Sequence, residues 1–250
     1  GVFFWMYRFG VVFEDGLRAH ARGDLPALDA ALERLTQAAD HYPHLRHGAY
    51  DLAVKRAWHT CRAEGIAAAQ RLVAAHPFPP EDEKARLLSS YVLPMAQGDT
   101  AGAAAILRQA VQRWPDEPVI QADLALMLAR HGEVDEAQQL MAAIAPAQLP
   151  PMAEAFRFWI DGLAALHRQQ LPQAMGLLTQ AGDTFLRLGR QLPATWPSLA
   201  VCTGDLALAM AWSGRVPEAR QTLQPVLAMV KAHMEPQRLA LLRRAVAQGA

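Results

Sequence analysis

Residues 129–140 read ARHGEVDEAQQL. A short apolar run ends at Ala129, Gly132 punctuates it, and a second amphipathic run begins at Val134 with Ala137 on its inner side. Glycine adopts a left-handed backbone conformation more cheaply than any other residue, so it commonly closes a helix. Asp135 and Glu136 favour the start of the next helix, where they meet the positive end of its dipole. The stretch predicts two helices joined by a tight turn.

The same punctuation recurs. RGDLPALDAAL (22–32), AEGIAAAQRL (63–72), QGDTAGAAAIL (97–107), HGEVDEAQQL (131–140), RQQLPQAMGLL (168–178) and SGRVPEARQTL (213–223) align on Gly23, Glu64, Gly98, Gly132, Gln169 and Gly214. Five residues later stand Leu28, Ala69, Ala103, Ala137, Ala174 and Ala219. Nine residues later stand Leu32, Val73, Leu107, Met141, Leu178 and Leu223, all large and apolar. Seven residues before stand Gly16, Ala57, Tyr91, Ala125, Gly162 and Ala207, small in every case but Tyr91. Small residues at facing points let two antiparallel helices approach closely. The large residue at the ninth position is left to bury against the next hairpin, because one hairpin cannot cover its own apolar side and a stack can.

This arrangement resembles the tetratricopeptide repeat family, whose period is about 34 residues. The family's small residue in the first helix, small residue in the second and helix-ending proline fall, in the third unit, on Tyr91, Ala103 and Pro115, the first a departure from the pattern. In the fourth unit they fall on Ala125, Ala137 and, one residue late, Pro150. In the fifth they fall on Gly162 and Ala174, with no proline in place. The resemblance is clearest over 80–231. It implies an all-α fold: an α-solenoid of about six antiparallel helical hairpins, continuous over 14–250 and capped by a C-terminal helix at 236–248. Helices are expected at 3–22, 26–40, 46–63, 66–75, 81–97, 100–113, 117–131, 134–144, 151–168, 171–189, 197–213, 216–231 and 236–248.

Composition agrees with an all-helical, packed chain. Of the 250 residues, 52% are hydrophobic and 19% charged, which excludes disorder. Good helix formers dominate, and no long run alternates in the manner of a strand. Net charge is zero, and no basic stripe offers itself to phosphates, so nucleic acid is not an expected partner. Cys61 and Cys202 are far apart and form neither a zinc ribbon nor a disulfide scaffold. The excess of Arg over Lys reads as the imprint of a GC-rich, bacterial genome.

Residues 1–13, GVFFWMYRFGVVF, are apolar and aromatic but too short to span a bilayer, which needs about 20 residues. Two readings stand. The segment is the end of a membrane anchor, with Trp5, Tyr7 and Arg8 at the headgroups, or it is a helix packed on the first repeat. A first residue that is Gly rather than Met points to a fragment or a processed product.

Chemistry finds little foothold. His41, His44 and His47 in HYPHLRH are separated by helix-breaking Pro43 and read as solvated residues at a junction, not as metal ligands. His59 and Cys61 fall on different faces of one helix. Asp161, His167 and Asp205 carry no motif around them. No nucleophile elbow, phosphate loop, zinc-protease or dinucleotide signature occurs. The expectation is a protein without catalytic residues, metal or cofactor.

The resemblance directs attention to the groove lined by the first helices. The positions that contact partners in the family fall here on Trp58, Leu88, Val92, Met95, Leu126, Phe156, Trp159 and Leu163. They are apolar, and the basic clamp with which some members hold a terminal carboxylate is missing. Such a lining suits an amphipathic helix or a hydrophobic segment, unless a tight superhelix or a terminal helix fills the groove itself. The expected function is a non-enzymatic interaction scaffold, an assembly factor tethered to a bacterial inner membrane with its solenoid in cytoplasm or periplasm. The alternative is the docking domain of a larger membrane enzyme such as a rhomboid-type protease. A soluble cytoplasmic scaffold requires residues 1–13 to be packed.

Overall fold

The computed structural model describes residues 2–189 and 192–248, with side chains from Arg8 onward. The anchors expected at Trp5 and Tyr7 lie outside the described side chains. Every regular element among the described residues is helical. In chain order these are α1 (Val2–Arg22), α2 (Leu25–His41), α3 (Arg46–Glu64), α4 (Ile66–Ala74), α5 (Glu83–Ser90), α6 (Val92–Ala96), α7 (Thr100–Arg113), α8 (Pro118–Arg130), α9 (Val134–Ala142), α10 (Pro151–His167), α11 (Leu171–Gly189), α12 (Trp196–Trp212), α13 (Val216–Leu223), α14 (Leu227–His233) and α15 (Pro236–Ala247), with short 3-10 turns between some of them. The all-α architecture of stacked hairpins is the one the repeat implies.

The turns form for the reason the sequence suggested. Gly23, Gly98, Gly132 and Gly214 all have positive φ, from 69° to 92°. At Gly132 the amide donates to the Ala129 carbonyl and the next amide, of Glu133, to that of Leu128. That paired closure satisfies carbonyls the end of α8 would otherwise leave open. Asp24 and Asp99 then cap the following helices, accepting from the amides of Ala27 and Gly102. Two turns depart from the alignment. In the second, positive φ sits on Gly65 instead of Glu64, and Gly65 alone separates α3 from α4. In the fifth, Gln169 takes φ 60° without being glycine.

Two expected helices are broken. The run 81–97 divides at Tyr91, and the run 216–231 divides at Gln224–Val226. Pro94 and Pro225 account for both. Each lacks an amide hydrogen, and each ring collides with the carbonyl one turn earlier.

The small residues of the repeat sit where helices touch. Ala69, Ala103, Ala137, Ala174 and Ala219 are fully buried. Gly162 of α10 shows how close the approach is: a Cβ there would lie 2.8 Å from the side chain of Leu178 on α11.

The chain divides into two compact units, Gly1–Gln97 and Gly98–Ala250. In the first, Val12, Leu17, Leu28, Leu35 and Leu52 form the core of α1–α3, with Phe9 and Phe13 packed against it. Phe9, Val12 and Phe13 of the apolar segment thus contribute to the packing of their own unit, whereas Val11 is exposed. Among the described residues no helix is long and apolar enough to cross a membrane. His20 of α1 and His59 of α3 share a hydrogen bond of 2.9 Å. Burial, reinforced by the charge of Arg56, lowers His59 to about 4.

In the second unit, guanidinium–carboxylate pairs link successive helices at the surface. Arg108 of α7 holds Glu136 of α9 with two bonds of 2.6 and 2.8 Å, and Arg168 reaches Asp135 and Gln138. Exposed pairs of this kind contribute about 0.2–1 kcal/mol each. Apolar packing and the buried ions described next carry more.

Candidate partner-binding surface

In the first unit, Trp58 is buried with Ala57, Cys61, Ala69, Leu93 and Ala96, and Val92 and Met95 pack half-buried against that cluster. The Arg62 guanidinium lies 5.8 Å from the Trp58 ring centre. Leu88 of α5 is half-buried. In the second unit, Leu126 of α8 is half-buried, whereas Phe156, Trp159 and Leu163 of α10 are buried. The Trp159 ring meets Phe185 edge-on at 5.8 Å and Phe156 at 6.2 Å. Four of the eight expected lining residues, Trp58, Phe156, Trp159 and Leu163, therefore act as core in the chain as it stands.

Among the first helices of the second unit lies a buried ionic network whose charged residues are not among the expected lining positions. Arg130, at the end of α8, donates to Asp205 Oδ2 of α12 at 2.6 Å. It also grips Glu235, the residue capping α15, with two bonds of 2.5 Å. Arg238 of α15 donates to Asp205 Oδ1 at 2.5 Å, and the Trp159 indole N–H donates to Oδ2 at 2.8 Å. The Arg130 guanidinium lies 5.4 Å from the Trp159 ring centre, close enough for a cation–π contact. Two positive and two negative groups balance. Burial alone would raise the Asp205 carboxyl; Arg130 and Arg238, with the bonds from Arg130 and Trp159, outweigh it and hold it below its ordinary value. Burial likewise disfavours the charge on Arg130, and Asp205 and Glu235 override it. The network joins α8, α10, α12 and α15, so it defines the inner side of these helices.

The C-terminal helix closes this inner side. A Cβ on Gly204 of α12 would lie 2.5 Å from the Met234 methyl and within 3.6 Å of Val230 and Leu242. Pro236 opens α15 at a position where its missing amide costs nothing. Gln237 donates to the Gly98 carbonyl at 2.7 Å.

The register of the repeat exposes a contrast. Counting back nine residues from Gly132 and from Gly214 gives Asp123 and Asp205. The surrounding letters agree as well, VIQADLALMLA at 119–129 against VCTGDLALAMA at 201–211. On α12 this line is covered: Val201 is 6% exposed, and Leu208 and Asp205 are 0%. On α8 the same line is open. Val119 is 50% exposed, and Asp123 and Leu126 are half-buried. Val119, Asp123, Leu126 and Arg130 recur at helical spacing along one side of α8. Of the two charges on that side, Arg130 is satisfied from within. Asp123 forms no hydrogen bond or ion pair with any described residue, and burial pushes its carboxyl up to about 7. A lone acid inside an otherwise apolar helix is the sequence signal for both sites, since buried charge demands a partner. For Asp205 the partners are not legible in the sequence, because Arg130 and Arg238 lie far along the chain.

Among the described residues no three His, Cys, Asp or Glu side chains are grouped to hold a metal ion. His41, His44 and His47 are exposed, at the end of α2, in a 3-10 turn and at the start of α3. Cys61 and Cys202 are buried thiols, and burial raises both above the ordinary thiol value.

A family model described as Tetratricopeptide repeat matches residues 95–156. No curated protein matches the chain. Over the matched stretch, which begins at the end of α6 and ends within the first two turns of α10, the chain is similar to tetratricopeptide repeats. Repeats of this family generally mediate protein–protein interaction.

Proposed function

We propose that the protein is a non-enzymatic scaffold and that α8 offers its inner side to a helical or hydrophobic segment of a protein partner. One observation carries this reading: Val119 is exposed and Asp123 and Leu126 are only partly covered, although their counterparts on α12 are sealed by the chain's own C-terminal helix. Val119 and Leu126, seven residues apart on one side of α8, complement the apolar side of an entering helix.

Site-specific photo-cross-linking tests the reading. A benzoylphenylalanine at position 119 should cross-link a second protein in the native host, at a segment that peptide mapping shows to be apolar and helical. The adduct should disappear with Leu126→Glu. The same probe at position 201 should react only within the chain, with residues of α14 and α15. Absence of any intermolecular adduct at 119 would overturn the reading.

A further inference from the structure

We propose that the partner of α8 brings a guanidinium to Asp123, so that the occupant of this face is a helix carrying an arginine. The inference deepens the reading above and rests on it.

The molecule supplies its own template. Asp123 and Asp205 occupy one repeat position on helices that share six of eleven aligned residues, 119–129 against 201–211. At Asp205 the carboxylate receives the Arg238 guanidinium from the first turn of a helix lying across α12, while Met234 and Leu242 of the same segment cover the apolar residues beside it. Asp123 presents the same carboxylate, between the same Val and Leu neighbours, with no cation supplied by any described residue. A carboxylate half out of water and without a donor is held in an unfavourable state. Its upward displacement to about 7 is the expression of that state, and burial is its only cause. A guanidinium satisfies such a group better than an ammonium does, because its planar fork offers two parallel donors to the two oxygens. An apolar partner without a cation would bury Asp123 further and leave it unanswered, so complementarity of charge selects the basic helix.

The test uses the full chain and two synthetic peptides. The first has the sequence of residues 234–248, which is α15 with its arginine. The second is identical except for Arg238→Gln. Binding is measured by fluorescence anisotropy at pH 8 to the wild-type chain, to Asp123→Asn and to Leu126→Glu, each checked by circular dichroism for unchanged helix content. The arginine peptide should bind the wild type about tenfold or more tightly than it binds Asp123→Asn. The glutamine peptide should not distinguish the two proteins. Equal affinity of the arginine peptide for wild type and Asp123→Asn would overturn the proposal and place the peptide elsewhere, for instance at Asp205 in exchange for α15. If both peptides bind alike and both are lost with Leu126→Glu, the apolar face stands as a docking surface and the guanidinium inference falls. If neither peptide binds, the inference also falls, and the cross-linking at position 119 decides the broader reading independently.

Discussion

Helices α8 and α12 share one Val–Asp–Leu line and live in different surroundings. Both present Val, Asp and Leu along one side, and both are followed by a glycine turn. Around α12 the side is closed: α14 and α15 lie over it, and Asp205 is held by Arg130, Arg238 and Trp159. Around α8 the side is open, and Asp123 is held by nothing described. An aspartate in an apolar helix is a local feature, but its meaning is set by what the rest of the chain places opposite it. At one position the acid is a structural keystone, and at the other it is unfinished.

The largest expected effect separates these two roles. Asp205→Ala leaves Arg130 buried with its charge half answered and removes the partner of Arg238. Breaking a buried pair in this way costs about 3–5 kcal/mol. Asp123→Ala removes a carboxylate that has no partner, so it should be neutral or stabilising near neutral pH. Urea denaturation of the two variants side by side measures both. Equal losses would break the comparison, because they would mean that Asp123 also has a counter-charge in the folded chain.

A second contrast lies in the pH dependence, where the two acids should have opposite signs. The folded state raises Asp123 from the ordinary carboxyl value of 3.8 to about 7. Between those values the folded chain keeps a proton that the unfolded chain has released. The contribution of Asp123 to stability is therefore intact below about pH 4 and declines as pH rises through 7. Asp205 is displaced downward, so its contribution is present above the ordinary carboxyl value and is lost as pH falls beneath it. Comparing the wild type with Asp123→Asn from pH 4 to 8 isolates the first effect. The variant should gain on the wild type steadily up to about pH 7 and then run parallel to it. A constant offset across the range would show that Asp123 titrates normally.

How much of this was legible in the sequence follows from how local each cause is. Four of the glycine turns could be read directly, because a left-handed turn is a property of one residue. The turn at Gly65 was placed one residue early, since Ala69 fixes the packing and the loop before it can shorten. Pro94 and Pro225 were visible, yet the helices were read through them; the apolar periodicity continues across each break and hides it. The groove set was drawn from family positions, and the structure puts Trp58, Phe156, Trp159 and Leu163 in the interior. Closely stacked helices bring large side chains onto one another before a partner can reach them. Asp205 was noticed and left without a role. Its role is set by Arg130, 75 residues earlier, and by Arg238, 33 residues later, and no local pattern encodes such pairings.

The smallest expected effect concerns the turn midway between the two helices. The hairpins of α8 and α12 turn on glycines at φ 92° and 81°, whereas that of α10 turns on Gln169 at φ 60°. A residue with a Cβ is strained there by roughly 1–2 kcal/mol relative to glycine. Gln169→Gly relieves that strain but gives the unfolded chain more freedom, which offsets about 0.5–1 kcal/mol of it. The net gain should be about 0.5 kcal/mol, visible as a small rise in the urea midpoint with an unchanged slope. The amide bonds of Gln169 and Gln170 to the carbonyls of Leu166 and Ala165 survive the change, so the turn itself stays closed. A loss of stability would mean that the Gln169 side chain contributes more than its backbone strain costs, and the three turns would then be alike in shape but not in cause.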